Sequence, residues 1–119
     1  MKLKGQAKED FEFWWQQKPK GERGIWYKGS CETFDFGFGL EHFYRCSDSM
    51  QYGVYVDWFD SVGISLFTYS HFINDNQYYF EWAILSGKHF VKRQCEDSRL
   101  EARTAAIEKA NEIYNNIHK

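Results

Sequence analysis

The feature that most constrains this fold is the last stretch of the chain, Ser98–Ile117, which combines a helix start signal with one apolar face. Ser98 followed by Glu101 is a capping box, in which the serine hydroxyl accepts a hydrogen bond from the Glu101 backbone N–H. Apolar positions then recur every three or four residues, which is typical of an amphipathic helix: Leu100, the Arg103 stem, Ala106, Ile107, Ala110, Ile113, Tyr114 and Ile117. A stripe of small residues predicts close packing on a flat partner, which we expect to be a sheet: Ala102, Ala106 and Ala110.

Upstream of this helix, alternating apolar residues predict four strands. The turn signals between them are short, so consecutive strands pair as an antiparallel meander. The fourth strand is the most polar and is expected at an edge, where its charges discourage mispairing. The predicted strands are Met50–Trp58, Ile64–Phe72, Gln77–Leu85 and Lys88–Gln94.

A shorter helix is predicted near the start, over Ala7–Lys18. Its apolar residues fall at positions i, i+4, i+7 and i+8, and Pro19 ends it: Ala7, Phe11, Trp14 and Trp15. Composition predicts a loop over Lys18–Gly24, and Ser47–Ser49 is interpreted as a turn. The segment between them leaves three alternatives open, namely a short strand at Ile25–Tyr27, a strand at Phe34–Gly39 and a helix over Cys31–Tyr44.

These elements predict the fold class. We expect one α+β domain over residues 1–119, in which a four-stranded antiparallel meander has the N-terminal and C-terminal helices packed on one face. If residues 25–46 do not cover the opposite face of the sheet, that face is the natural contact surface.

The aromatic content suggests what that face does. The chain has 11 Phe, 8 Tyr and 5 Trp, or 20% of its residues, and a domain of this size cannot easily bury them all. Exposed aromatic side chains contribute strongly to interfaces. We therefore predict a non-catalytic binding or accessory protein that meets a protein partner or a second copy through Tyr55, Tyr69 and Tyr79.

Charge favours a second hypothesis only locally. With 15 basic and 17 acidic residues the net charge is −2, which argues against a bulk electrostatic nucleic-acid binder. Five basic residues nevertheless cluster around the fourth strand and the start of the last helix: Lys88, Lys92, Arg93, Arg99 and Arg103. Nucleic-acid binding, to RNA, through this cluster is the alternative function.

Two resemblances add to this. The segment SRLEARTAAIEKANEIY is similar to the last helix of double-stranded-RNA-binding domains, which also follows a three-stranded antiparallel meander. The matching positions are Ser98, Arg99, Leu100, Ala102, Arg103, Ala105 and Ala106. The resemblance implies that Arg99 and Arg103 contact phosphates, although Leu100 stands where that family has a lysine.

The second resemblance covers the whole chain. With QAKEDFEFWW at the start, VDWFDSVGI in the middle and EARTAAIEKANEIYNN at the end, it looks like small proteins carried by phages and mobile elements of gut bacteria. That resemblance implies an accessory role, such as binding a host or phage factor, and it assigns no site residues.

No combination of residues points to catalysis or to a cofactor. The candidate ligands for a soft metal form no close pairs of the kind that structural zinc sites use, so no metal is predicted: Cys31, His42, Cys46, His89 and Cys95. Glu81 lies in a strand among aromatic residues. We interpret it as the partner of Lys88, Lys92 or Arg93, or alternatively as an acid in an aromatic pocket.

Two features of the sequence predict the cellular compartment. No apolar run approaches the ~20 residues of a membrane span, and the three cysteines are an odd number with irregular spacing. We therefore expect reduced thiols in a cytoplasmic protein with no membrane partner.

Overall fold

The computed structural model describes residues 1–17, 40–87 and 89–119, except for the side chains of residues 89 and 91–93. Within these ranges the chain is an α+β protein with an antiparallel sheet. Its elements are α1 (Gly5–Gln17), α2 (Leu40–Arg45), α3 (Asp48–Ser61), β1 (Ile64–Asn74), β2 (Gln77–Ser86), β3 (His89–Glu96) and α4 (Arg99–Ile117). The predictions for Lys18–Gly24, Ile25–Tyr27 and Phe34–Gly39 lie outside the described residues, as does most of the helix considered over Cys31–Tyr44, whose last residues fall in α2.

The sheet has three strands in the order β1-β2-β3, so three of the four predicted strands are confirmed with their antiparallel pairing. The turn between β1 and β2 lies where it was predicted. Asn74 pairs with Gln77, and the Asn74 Oδ1 accepts a hydrogen bond from the Asn76 N–H at 3.0 Å. An asparagine in this position imitates a backbone turn and holds the hairpin closed.

The predicted strand over Met50–Trp58 is wrong, because these residues belong to α3. This segment has so many apolar residues that they fit the two-residue repeat of a strand as well as the repeat of a helix. The residues that the structure buries are separated alternately by three positions and one position, as on one face of a helix: Gln51, Val54, Tyr55, Trp58 and Phe59. Ser47, interpreted as part of a turn, is the N-cap, and its hydroxyl accepts from the Met50 N–H at 3.4 Å. A serine N-cap at this position favours a helix over a strand for the residues that follow it.

The last helix is confirmed almost residue for residue. The Ser98 hydroxyl accepts from the Glu101 N–H at 3.1 Å, as a capping box requires. The three alanines of the stripe have no exposed surface, and α4 packs across β1 and β2. Two predicted members of its apolar face, Leu100 and Ile117, remain exposed near the two ends of the helix.

The core is joined by a cluster of aromatic rings around Phe11 of α1. The centroid of the Phe11 ring lies 5.1 Å from Phe43, 4.9 Å from Tyr55 and 5.7 Å from Trp58. All four side chains are essentially inaccessible to solvent. Tilted and edge-on ring pairs at these distances stabilise a core beyond the burial of their area. One cluster therefore connects α1, α2 and α3.

The N-terminus is fastened to α4 by asparagine side chains. The Asn115 Oδ1 accepts from the Ala7 N–H at 2.8 Å, and the Asn115 Nδ2 donates to the Lys4 carbonyl at 3.0 Å. Between these contacts lies Gly5 with φ of +63°, a conformation that side chains disfavour. A Cβ on Gly5 would lie 2.9 Å from the Asn115 Nδ2. Because that amide is held by two hydrogen bonds, it cannot move aside without losing them.

We expect Gly5→Ala to lower the free energy of unfolding by about 2 kcal/mol, since it combines left-handed backbone strain with loss of the Asn115 contacts. Gly63→Ala is the matched control. Gly63 has φ of +85°, but a Cβ there would meet nothing within 4 Å, so only the strain of about 1 kcal/mol applies. Urea unfolding of both variants measures the difference. If both variants lose the same free energy of unfolding, the hydrogen bonds of Asn115 do not stabilise the fold.

A second contact between α1 and α4 joins two titratable groups. The Tyr114 hydroxyl donates to the Asp10 carboxylate at 2.5 Å. This hydrogen bond lowers the pKa of Asp10. Burial, followed by the contact with Asp10, raises the pKa of Tyr114 to about 12. The folded state therefore favours the neutral tyrosine beside the ionised carboxylate.

This pair predicts a pH dependence of stability. Because the folded pKa of Tyr114 is above the unfolded value of about 10, its contribution is complete below pH ~10 and is lost as pH rises towards 12. Wild type should exceed Tyr114→Phe in unfolding free energy by about 1 kcal/mol at pH 8, and by clearly less at pH ~11. Urea titrations at both pH values measure this gap. A gap that stays constant would exclude the linkage.

Candidate functional site

The candidate site lies on the face of the sheet that α4 does not cover. Opposed residues of an antiparallel pair lie on the same face, and the β1–β2 register pairs Tyr69 with Glu81 and His71 with Tyr79. The neighbouring positions Leu66 and Ile84, paired with each other, are buried in the core beneath α4. We call the surface formed by Phe67, Tyr69, His71, Tyr79 and Glu81 the open face.

His71 is the centre of the open face. Its imidazole stacks on the Tyr79 ring with a centroid distance of 4.9 Å and an interplanar angle of 14°. The Tyr69 ring meets it edge-on at 5.2 Å. The His71 Nε2 lies 2.7 Å from the Glu81 Oε2. The Nε2 makes no well-aligned hydrogen bond, so this contact is mainly electrostatic and becomes an ion pair when the imidazole is protonated.

Only 3% of the Glu81 surface is exposed, although α4 does not cover this face of the sheet. A buried carboxylate needs partners, and His71 is one of them. The predicted pairing of Glu81 with Lys88, Lys92 or Arg93 depends on side chains outside the described residues. The open face thus has a nearly buried anion under a half-covered imidazole, with tyrosine rings on two sides.

Two of the three predicted contact residues lie on this surface. Tyr69 is exposed and Tyr79 is half-buried, and the structure brings them together around His71. The sequence analysis did not name His71. A two-residue loop after Asn74 would by itself place residue 71 opposite residue 80. The bulge between Phe72 and Asn74 shifts the register by one residue, and this brings His71 opposite Tyr79.

The third predicted contact residue, Tyr55, is misplaced. It lies on α3 rather than on a strand, and none of its surface is exposed. Burial raises the pKa of its hydroxyl above the usual range. Since Tyr55 contacts Phe11 and Phe43 in the aromatic cluster, it belongs to the core and not to a partner surface.

The structure describes only part of the predicted basic cluster. In β3, Lys92 pairs with Ile84 and Arg93 pairs with Ala83. Lys88 lies outside the described residues, as do the Lys92 and Arg93 side chains. The two arginines of α4 are described, and both lie over aromatic rings.

Arg99 and Arg103 line the β1–β2 hairpin on the side that α4 covers. The Arg99 guanidinium carbon lies 5.5 Å from the centre of the Phe80 ring, and that of Arg103 lies 5.3 Å from the centre of the Tyr52 ring. These are cation–π distances. Arg103 also donates to the Ser49 hydroxyl at 2.8 Å. Arg103 is therefore partly engaged in holding α3 against α4, whereas Arg99 is exposed.

The His71–Glu81 contact predicts a stability effect. We expect His71→Ala to lower the free energy of unfolding by about 1–3 kcal/mol, because it removes a partner of a nearly buried carboxylate. Phe72→Ala is the matched control in the next residue of the same strand. Its side chain is 83% exposed, so its loss should stay within about 0.5 kcal/mol. If chemical unfolding gives the same value for both variants, the contact does not stabilise the fold.

The described residues contain neither a membrane-spanning helix nor a metal centre. Within residues 1–17, 40–87 and 89–119, no helix has the length and apolarity to cross a bilayer. In the same ranges, no three His, Cys, Asp or Glu side chains converge as a metal centre requires. No protein-family model matches the chain, and neither a curated protein nor a solved structure matches it.

Proposed function

We propose that this chain is a non-catalytic binding or accessory protein that contacts a protein partner through the open face. The observation that supports this is the exposure of large apolar rings on the open face. Phe67 is 45% exposed and Tyr69 is 38% exposed, and both lie beside His71 and Tyr79 on the same side of the β1–β2 pair. Scattered exposed hydrophobics are ordinary, but a concentrated group marks an interaction surface.

The arrangement of the open face suits recognition. Tyr69 and Tyr79 hold the His71 ring from two sides, and Glu81 lies against its Nε2. A ring fixed in this way loses little conformational entropy when a partner covers it. Aromatic residues with one polar end are also enriched at interfaces. The open face is therefore a pre-organised platform with apolar rings and polar edges.

The same geometry favours binding over catalysis. The Glu81 side chain is only 4% exposed, so its carboxylate is not offered to a substrate, and one face of the His71 ring is covered by Tyr79. An acid–base residue must reach the group that it protonates or deprotonates. In the proposed role these two residues support the tyrosines.

The partner is proposed to be a protein, either a second copy of this chain or another protein of the same cell. The resemblance to proteins of phages and mobile elements supports an accessory role in a bacterial cytoplasm. In such a role the chain would bind a host or phage factor rather than process a metabolite.

Site-specific photocrosslinking tests the proposal. We expect a benzophenone amino acid in place of Tyr69 to crosslink one discrete protein in the cells that encode the chain. The same group in place of Glu112, an exposed residue of α4, is the control and should give no such product. Sedimentation velocity of the purified protein identifies the case in which the partner is a second copy. The double variant Tyr69→Ser/Tyr79→Ser should weaken either association by about tenfold or more.

A monomer by sedimentation that also gives the same crosslinking pattern at residues 69 and 112 would overturn the proposal. Association that survives the double variant unchanged would overturn the assignment to the open face. Circular dichroism of each variant checks that the fold is retained.

A further inference from the structure

A second surface lies on the opposite side of the same hairpin, next to the start of α4. It is a groove of about 430 Å³ that we call the aromatic groove. Its lining residues are Ser70, Phe72, Tyr78, Phe80 and Arg99. A smaller cavity of about 170 Å³ shares Ser70, Phe80 and Arg99 with it and adds Thr68, Tyr69, Ala102 and Arg103. The combined size is that of a small-ligand site.

The floor of the aromatic groove is a row of three rings. The centroids of Phe72 and Tyr78 are 6.1 Å apart, and those of Tyr78 and Phe80 are 5.5 Å apart. Phe72 is 83% exposed and Tyr78 is 57% exposed. Two of the three rings therefore offer their surfaces to solvent, at the end of the hairpin that extends past α4.

The charge of the lining is of one sign. Among the described residues that line the groove and the adjoining cavity, the charged side chains are Arg99 and Arg103. The cation–π contact with Phe80 holds Arg99 at the edge of the rings. Arg103 is held beside it by Ser49 and Tyr52. An occupant that complements this surface carries negative charge next to flat apolar groups.

We propose that the aromatic groove binds a single strand of nucleic acid. Bases stack on Phe72 and Tyr78, and the phosphates between them contact Arg99 and Arg103. A nucleic-acid strand alternates planar and anionic groups along one chain, which matches rings flanked by guanidinium groups. The aromatic groove lies on the opposite side of the hairpin from the open face, although Tyr69 also lines the adjoining cavity, and it takes a different class of partner.

The spacing of the rings favours a single strand over a duplex. Ring centres 5.5–6.1 Å apart exceed the ~3.4 Å rise between stacked bases. Bases that follow these rings must be unstacked and splayed, as they are on the sheet surfaces that bind single strands. This mode differs from the duplex recognition that the helix resemblance implies, although both use Arg99 and Arg103.

Fluorescence anisotropy with labelled ten-nucleotide oligothymidylate and oligouridylate, each against the full chain, tests the proposal. We expect binding of at least one oligonucleotide at low salt, and weaker binding of a duplex of the same length. With two phosphate contacts, the logarithm of the association constant should fall by ~1.4 for each tenfold rise in salt. Arg99→Glu should weaken binding about tenfold and reduce this slope by ~0.7. Phe72→Ala and Tyr78→Ala should each weaken it about tenfold.

Matched variants separate the site from general effects. Lys2→Glu makes the same charge change at an exposed residue far from the groove in sequence, and Phe13→Ala removes a side chain that is 65% exposed on α1. Both should bind within about twofold of wild type. Equal losses in these controls, or no binding of either oligonucleotide at low salt, would overturn the proposal. So would a duplex that binds as tightly as the single strands, or a glutamate- and tyrosine-rich peptide that binds while the oligonucleotides do not.

Discussion

The structure depends on the close contact between the alanine stripe of α4 and the sheet. Ala102, Ala106 and Ala110 have no exposed surface, and their small side chains let the helix lie directly across β1 and β2. This contact decides which face of the sheet becomes core, because Leu66, Trp82 and Ile84 are buried on the α4 side. It thereby leaves the open face uncovered by α4. The helix begins at its cap, Ser98, and the exposed rings of Phe72 and Tyr78 lie on the same face of the hairpin beyond its first turn.

Two groups of aromatic residues in the described part of the chain have different roles. One group builds the core around Phe11, where rings from α1, α2 and α3 exclude water. The other lies on the β1–β2 hairpin, where the chain exposes rings on both faces. A small domain cannot bury so many large side chains. Among the described residues, four exposed aromatic side chains lie on this hairpin, namely Phe67, Tyr69, Phe72 and Tyr78, and both proposed binding surfaces include some of them.

Much of the fold could be predicted because several signals are local. A serine cap, alanines at four-residue spacing, and an asparagine turn between two alternating segments act within a few residues. The strand prediction over Met50–Trp58 was wrong because the apolar residues of this segment fit a strand period and a helical period equally well. The residue that distinguishes the two is the N-cap Ser47, which the sequence analysis interprets as part of a turn. The misplacement of Tyr55 followed directly from that error. When the secondary structure of a segment is predicted wrongly, the predicted directions of its side chains are wrong as well.

The candidate site was predictable only in part. Alternation assigns Tyr69 and Tyr79 each to a face of its own strand, but only the bulge between Phe72 and Asn74 puts both on the same face. The burial of Glu81 beside His71 could not be predicted either, because burial depends on which neighbours cover a position. The same holds for Arg99 and Arg103, whose nearness to Phe80 and Tyr52 joins residues far apart in the chain.

The sequence by itself determined the capped C-terminal helix, the three strands and the tight turn after Asn74, because each rests on contacts between residues close in the chain. Only the tertiary structure decided that Tyr55 is core and that Arg99 and Arg103 lie over Phe80 and Tyr52. Those outcomes depend on which surfaces pack together. Packing energy is summed over residues that are distant in sequence.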